Sequence, residues 1–298
     1  MFRKGGIVTL NESDTAVVAI AGMYLCYNTR DSAFTHAMQD PRARLVTDAS
    51  FEASWQTGEI EPEDVWYQAK GLGLLSLAAL HFARNGIAFN YYDIGSNIGM
   101  AVMAEAIFQQ RCRIGNQLFA FETGPNYDLL VRSIEINSLA EVISPARAII
   151  SSGEEHSAPR EALSTPVTNL TTHILDDIIR SHRRAGAVVK IDADGADFVV
   201  IDGLRNTISS MPCVVQFQYC PEIIETYSSS IDALIELGRN CEIWEVDGVR
   251  LRSIKSSTLG FMELNDRLIR SSAKATDLLL VTRSVPRIFD MLERMIHN

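Results

Sequence analysis

Residues 89–99 constrain the fold of this chain more than any other segment. An apolar run ends on Asp93 and opens into Asp93-Ile94-Gly95-Ser96-Asn97-Ile98-Gly99. A second carboxylate, Glu122, closes the next apolar run, Gln117-Leu118-Phe119-Ala120-Phe121. An α/β fold builds nucleoside sites in this way. The first strand ends in a tight glycine turn that brings backbone N–H groups and a helix N-terminus up to the ligand. The second ends in a carboxylate able to accept hydrogen bonds from both ribose hydroxyls. The spacing separates ligand classes. A dinucleotide fingerprint uses the second glycine of G-x-G-x-x-G to let backbone approach a pyrophosphate. Here that position is Asn97, and Asp93 just before the turn would repel a pyrophosphate. A carboxylate there suits a ligand carrying positive charge. The turn contributes Asp93, Gly95, Ser96, Asn97 and Gly99 to this candidate site; Glu122 and Thr123 come from the second strand end, and Ser151 from the third.

From residue 87 onward, short apolar runs alternate with helical segments, which implies a parallel sheet covered on both faces. The runs are 87–92, 117–121, 146–150, 187–191 and 213–219, with helices expected over 98–111, 126–137, 175–184 and 196–209. A helix near 231–238 and two further runs, 241–246 and 277–281, complete the pattern. Residues 1–64 differ in texture: short strands within 15–27, a polar stretch over 28–56 and an acidic helix start at 59–64. They read as an N-terminal extension or cap on an α/β domain spanning 65–298. A helix over 65–84 stops at Arg84-Asn85-Gly86, with glycine just past its end. The polar stretch 151–166 reads as a loop over the strand ends.

Composition narrows the partners. A net charge of −10 argues against nucleic acid, whose affinity rests largely on Lys and Arg. The five cysteines are scattered without metal spacing, which predicts reduced thiols in a cytoplasmic protein. The apolar stretch 15–27 is broken by Gly22 and is too short to span a bilayer.

Three further segments bear on family. Phe119-Ala120-Phe121-Glu122 is followed by Pro125-Asn126 and then Ile134-Glu135-Ile136-Asn137. Lys190-Ile191-Asp192-Ala193-Asp194-Gly195-Ala196-Asp197 runs on to Val200-Ile201-Asp202-Gly203, with Leu175-Asp176-Asp177 upstream. The D-x-G-x-x-x-G turn followed by Glu122 resembles class I S-adenosylmethionine-dependent methyltransferases, and the later segments resemble the FkbM family, over roughly residues 91–203. The cofactor's ammonium and sulfonium match the positive ligand inferred above. The resemblance implies a Rossmann-like, doubly wound, mostly parallel seven-stranded sheet closed by an antiparallel pair. It also implies methyl transfer from S-adenosylmethionine to a hydroxyl of a sugar, glycan or secondary metabolite. The chain departs from the family pattern at Asp194 and Asp197, where glutamates are usual. It departs again at Thr123-Gly124, where proline usually follows the glutamate directly, and at Gln216 and Gln218, where an acidic residue is often found.

Lys190 and Asp192 end the fourth strand, beside the first, at the switch point where open α/β sheets bind ligands. A hydroxyl acceptor must lose a proton, so Asp192 is the candidate base and Lys190 the group that orients it or holds an acceptor oxygen. Four other readings stand beside this one. The pair could be structural, or Asp192 could touch the cofactor. Asp192 and Asp194 could hold a divalent ion in a nucleotide-sugar glycosyltransferase. The fold could also serve a noncatalytic cofactor-binding protein. His173 is a lesser catalytic candidate, and Cys213 is expected to be a buried small apolar residue.

Overall fold

Side chains alternate across a strand, so a run apolar at every position must be buried on both faces. The computed structural model describes residues 8–9, 15–20, 23–28, 30, 72–151, 168–193, 196–222, 230–247, 250–271 and 275–285. The first strands, β1 (Val8–Thr9), β2 (Thr15–Ile20) and β3 (Met23–Asn28), form a small antiparallel sheet of their own. The main sheet comprises β4 (Phe89–Ile94), β5 (Leu118–Glu122), β6 (Ile143–Ser151), β7 (Thr168–Thr171), β8 (Gly186–Ile191), β9 (Cys213–Tyr219), β10 (Cys241–Asp247), β11 (Arg250–Ile254) and β12 (Thr276–Thr282). Its order is β11-β10-β12-β9-β8-β4-β5-β6-β7.

Strands β4 to β9 run parallel to one another, whereas β12 runs antiparallel to both β9 and β10. The seven expected strands are all present, in the class I Rossmann-like arrangement. The sheet has nine strands rather than seven because β7 and β11 extend its two edges. Pro145 fits within β6 because β7 pairs only with Ala148 to Ser151, leaving β6 an edge at the proline.

Helices α1 (Leu72–Arg84), α2 (Met100–Arg111) and α3 (Asn126–Ile136) pack on one face, against Phe89, Tyr91, Leu118 and Val188. The other face carries α4 (Thr172–Ser181), α5 (Asp197–Gly203), α6 (Arg205–Ser210), α7 (Ser230–Leu237) and α8 (Thr258–Arg270). The single helix expected over 196–209 is two helices meeting at Leu204. Asp176 is buried in α4 and accepts the Thr207 backbone N–H at 2.7 Å, tying α4 to α6. Cys213 is fully buried, and burial pushes its thiol pKa far up, as an inert core residue requires.

Strand β3 belongs to the same core: Met23, Leu25 and Tyr27 are buried with the α1–α3 face. Ser133 of α3 accepts the Cys26 N–H at 2.9 Å, and Asn137 exchanges hydrogen bonds with both backbone groups of Tyr24. The boundary expected at residue 64 and the acidic helix start at 59–64 lie outside the described residues, as does all but Ser151 of the loop expected over 151–166.

A buried carboxyl sits between α1 and α2. Glu105 accepts from the Ser76 hydroxyl at 2.5 Å and from the Gln109 amide at 2.8 Å. Burial raises its pKa from 4.5 to about 7, against the pull of those two donors. The folded state therefore holds a proton that the unfolded chain has released. The stabilisation is complete below pH 4.5 and is lost as pH rises through about 7. Glu105→Gln removes that titration while retaining an acceptor, and its amide can also serve the unpaired Gln109 Oε1. Urea denaturation across pH 4.5 to 8 should show a flatter stability profile for Glu105→Gln, with its largest gain over wild type above pH 7. Parallel profiles for the two proteins would contradict this.

Candidate functional site

The alternation that buries Phe89 and Tyr91 places Asp93 on the same face at the carboxyl end of β4. Glu122, Lys190, Gln216 and Asp277 share that face on β5, β8, β9 and β12, each in step with buried neighbours such as Ala120, Val188, Val214 and Leu279. Strand register aligns Asp93 with Lys190, Lys190 with Gln216, and Gln218 with Asp277. A polar row thus crosses five strands at one edge of an otherwise apolar face, spanning the switch point between β4 and β8.

Lys190 is the centre of the row. Its ammonium lies 3.1 Å from Asp192 Oδ2 and 3.5 Å from Asp93 Oδ1. Burial works against that charge, but Asp93 and Asp192 outweigh it and hold the Lys190 pKa above its ordinary value. Asp93 is fully buried, and the 3.5 Å contact is an ion pair without hydrogen-bond geometry; neither carboxylate oxygen has a hydrogen bond. Burial raises the Asp93 pKa, Lys190 offsets part of that, and Asp192 adds to it. The positive charge facing Asp93 is thus the chain's own lysine. Asp192 is the exposed member, with 56% of its side chain accessible.

The glycine turn is built as much for packing as for a ligand. Gly95 has φ +78°, and a Cβ there would stand 1.9 Å from the Asp192 carbonyl oxygen. Asp192 N–H in turn donates to the Ile94 carbonyl at 2.9 Å, so the ends of β4 and β8 are in backbone contact. Gly99 has φ +93°, and a Cβ would meet Leu130 at 2.5 Å. The Ser96 hydroxyl turns back to the Asp93 carbonyl at 2.8 Å instead of capping α2, which has no side-chain cap at all. The helix N-terminus is therefore left to solvent or to a ligand.

Glu122 closes the turn from the other side. Its Oε2 accepts the Asn97 N–H at 2.7 Å, while Oε1 accepts from Thr123 and Gly124 at 2.9 and 3.1 Å. The Thr123-Gly124 departure has a structural role, since a proline directly after Glu122 could not donate. A carboxylate oxygen takes two hydrogen bonds, so Oε2 retains one accepting position beside the uncapped helix. The Asn126 amide holds the Asn97 side chain at 2.8 Å, with Asn97 itself at φ +51°. These features fit a bound nucleoside: an uncapped helix start, a glycine cradle and an available carboxylate.

The structure brings Asp93, Gly95, Ser96, Asn97, Gly99, Glu122, Thr123, Lys190 and Asp192 to this one edge. Ser151 is the last residue of β6, two strands away from β4. His173 falls in the first turn of α4, and Asp194 lies outside the described residues. Sequence reasoning missed Asp277. It accepts from the Gln216 amide at 3.2 Å, so the antiparallel neighbour of β9 adds a carboxylate to the row. Burial raises the Asp277 pKa against that hydrogen bond. Among the described residues, no group of three or more His, Cys, Asp or Glu could hold a metal ion, and no helix is long and apolar enough to cross a membrane.

No family model and no curated protein matches the sequence. Solved structures similar to the chain include the precorrin-6y C5,15-methyltransferase of Geobacter metallireducens, at 11% identity over 70% of this chain and 87% of that one, with a TM-score of 0.36. An S-adenosylmethionine-dependent methyltransferase of Agrobacterium tumefaciens is similar at 10% identity over 92% of this chain and 71% of that one, with a TM-score of 0.38. At such scores the fold rests on the strand order itself.

The Gly95 contact generates a test. Gly95→Ala forces the β4 and β8 ends apart and strains a left-handed backbone, costing at least about 1–3 kcal/mol. A lowered urea midpoint is expected in the absence of any ligand. Wild-type stability in Gly95→Ala would contradict the packing described.

Proposed function

We propose that this protein is an S-adenosylmethionine-dependent methyltransferase of the FkbM type, acting on a hydroxyl of a sugar, glycan or secondary metabolite. The observation that carries this reading is the pairing of an uncapped α2 N-terminus with Glu122 across the Gly95–Gly99 turn. Glu122 Oε2 would accept a hydrogen bond from a ribose hydroxyl, and the first-turn N–H groups of α2 would face the ligand. Bound cofactor would supply an electrophilic methyl carbon, to which the acceptor oxygen bonds as the C–S electron pair returns to sulfur and the hydroxyl proton passes to a base.

Asp192 is that base. It is accessible, it stands at the switch point, and Lys190 orients it at 3.1 Å. Much of the remaining acceleration comes from holding the oxygen in line with the methyl group. The rival glycosyltransferase reading needs a divalent ion on Asp192, where the Lys190 ammonium already stands.

Calorimetric titration with S-adenosylhomocysteine and with uridine-diphosphate sugars separates these readings. Binding of the former alone is expected. Glu122→Ala should weaken it about 10- to 100-fold, the scale of a lost charge-assisted hydrogen bond. Binding of nucleotide sugars alone, abolished by a chelator, would overturn the proposal. Once a hydroxyl library yields an acceptor, Asp192→Asn should retain cofactor affinity and lose about 10²–10⁴ in turnover. Unchanged turnover would remove Asp192 from the chemistry.

A further inference from the structure

Strand register sets Arg147 of β6 opposite Glu122 of β5, on the same face of the sheet. Only 5% of the Arg147 side chain is accessible. Burying a guanidinium to that depth is costly unless it is paired. Three of its contacts fall within one short stretch, residues 124–128, which joins β5 to α3.

Arg147 Nη2 donates to the Gly124 carbonyl at 3.3 Å and lies 3.4 Å from Asp128 Oδ2. Its guanidinium stands 5.2 Å from the centre of the Tyr127 ring. The Gly124 carbonyl also accepts the Tyr127 N–H at 3.2 Å, so β6 and the start of α3 hold the same oxygen. The Gly124 N–H, on the other side of that residue, donates to Glu122 Oε1. Glu122 Oε2 takes the Asn97 N–H, and the Asn97 side chain is held by Asn126, again in the first turn of α3. Both oxygens of Glu122 are therefore set by groups fixed to the α3 N-terminus. That terminus has no side-chain cap, and Arg147 ties it to β6. A planar guanidinium suits this task because its donors point in fixed directions.

We propose that Arg147 is the positioning residue for Glu122, holding the 122–124 turn so that Oε2 stays toward the uncapped start of α2. Arg147 acts through Gly124 and the first turn of α3. Glu122 supplies the charge that takes a ligand hydroxyl, and Arg147 supplies the direction on which that hydrogen bond depends. That the ligand is a nucleoside cofactor rests on the methyl-transfer reading; the hold on the turn stands on these contacts.

The test uses the full chain as wild type, Arg147→Gln, Glu122→Ala and the double variant. S-adenosylhomocysteine is titrated into each by calorimetry, and amide hydrogen exchange at Thr123 and Gly124 is followed by NMR without ligand. Arg147→Gln should speed exchange at both amides and weaken S-adenosylhomocysteine about three- to tenfold, the scale of coupling within one hydrogen-bond network. In the Glu122→Ala background the same substitution should change affinity by less than about twofold, because the group it positions is gone. An arginine that only stabilises the fold would cost the same factor in both backgrounds. That result overturns the proposal, as does unchanged affinity or unchanged exchange in Arg147→Gln. Asp128→Asn, at a side chain 66% exposed, should give a smaller loss in the same direction. It decides the test if Arg147→Gln does not fold, and no loss there overturns the proposal. If wild type binds no S-adenosylhomocysteine, methyl transfer is overturned and exchange alone judges the arginine. Faster exchange in Arg147→Gln then upholds its hold on the turn, and unchanged exchange overturns it.

Discussion

Lys190 holds the ligand edge of the sheet together. Its ammonium is the positive charge beside Asp93, which is fully buried, and it also bonds Asp192, which is exposed. Removing one partner of a buried ion pair typically costs about 3–5 kcal/mol, because the other charge is left uncompensated. Here that cost would fall where β4 and β8 meet, at the crossing point of the fold. The backbone is equally tight there, with Gly95 against the Asp192 carbonyl and the Asp192 N–H on Ile94. The same few residues therefore close the core and present the accessible carboxylate.

This arrangement divides labour along the row. Glu122 and the uncapped start of α2 lie on the β5 side, suited to the ribose and the rest of a cofactor. Lys190 and Asp192 occupy the middle, where chemistry on a hydroxyl is proposed. Gln216 and Asp277 continue the row onto β9 and β12. The row arises because alternate residues of five strands point to the same face.

The seven principal strands were legible because burial on both faces makes them continuous apolar runs. Strand β7 was not, since Thr168-Asn169-Leu170-Thr171 is short and mostly polar, as an edge strand can be. Strand β11 escaped for the same reason, with two arginines in five residues. Gly95 was recognisable as a required glycine, but the cause lies in a contact with Asp192, which no local pattern encodes. Asp277 stood at the start of a recognised strand, yet its partner Gln216 is 61 residues away and pairs only once the antiparallel order is known. Gln216 is legible as a polar residue in an apolar run; its hydrogen bond to Asp277 is not. Sequence order likewise conceals that Arg252 and Arg267 meet on Glu245.

A crystal structure of the protein soaked with S-adenosylhomocysteine tests the central claim most directly. The account predicts a ribose hydroxyl on Glu122 Oε2, the ligand running across the Gly95–Gly99 turn, and its sulfur directed toward Lys190 and Asp192. A ligand seated elsewhere, with Glu122 bonded only to Asn97, Thr123 and Gly124, would contradict it.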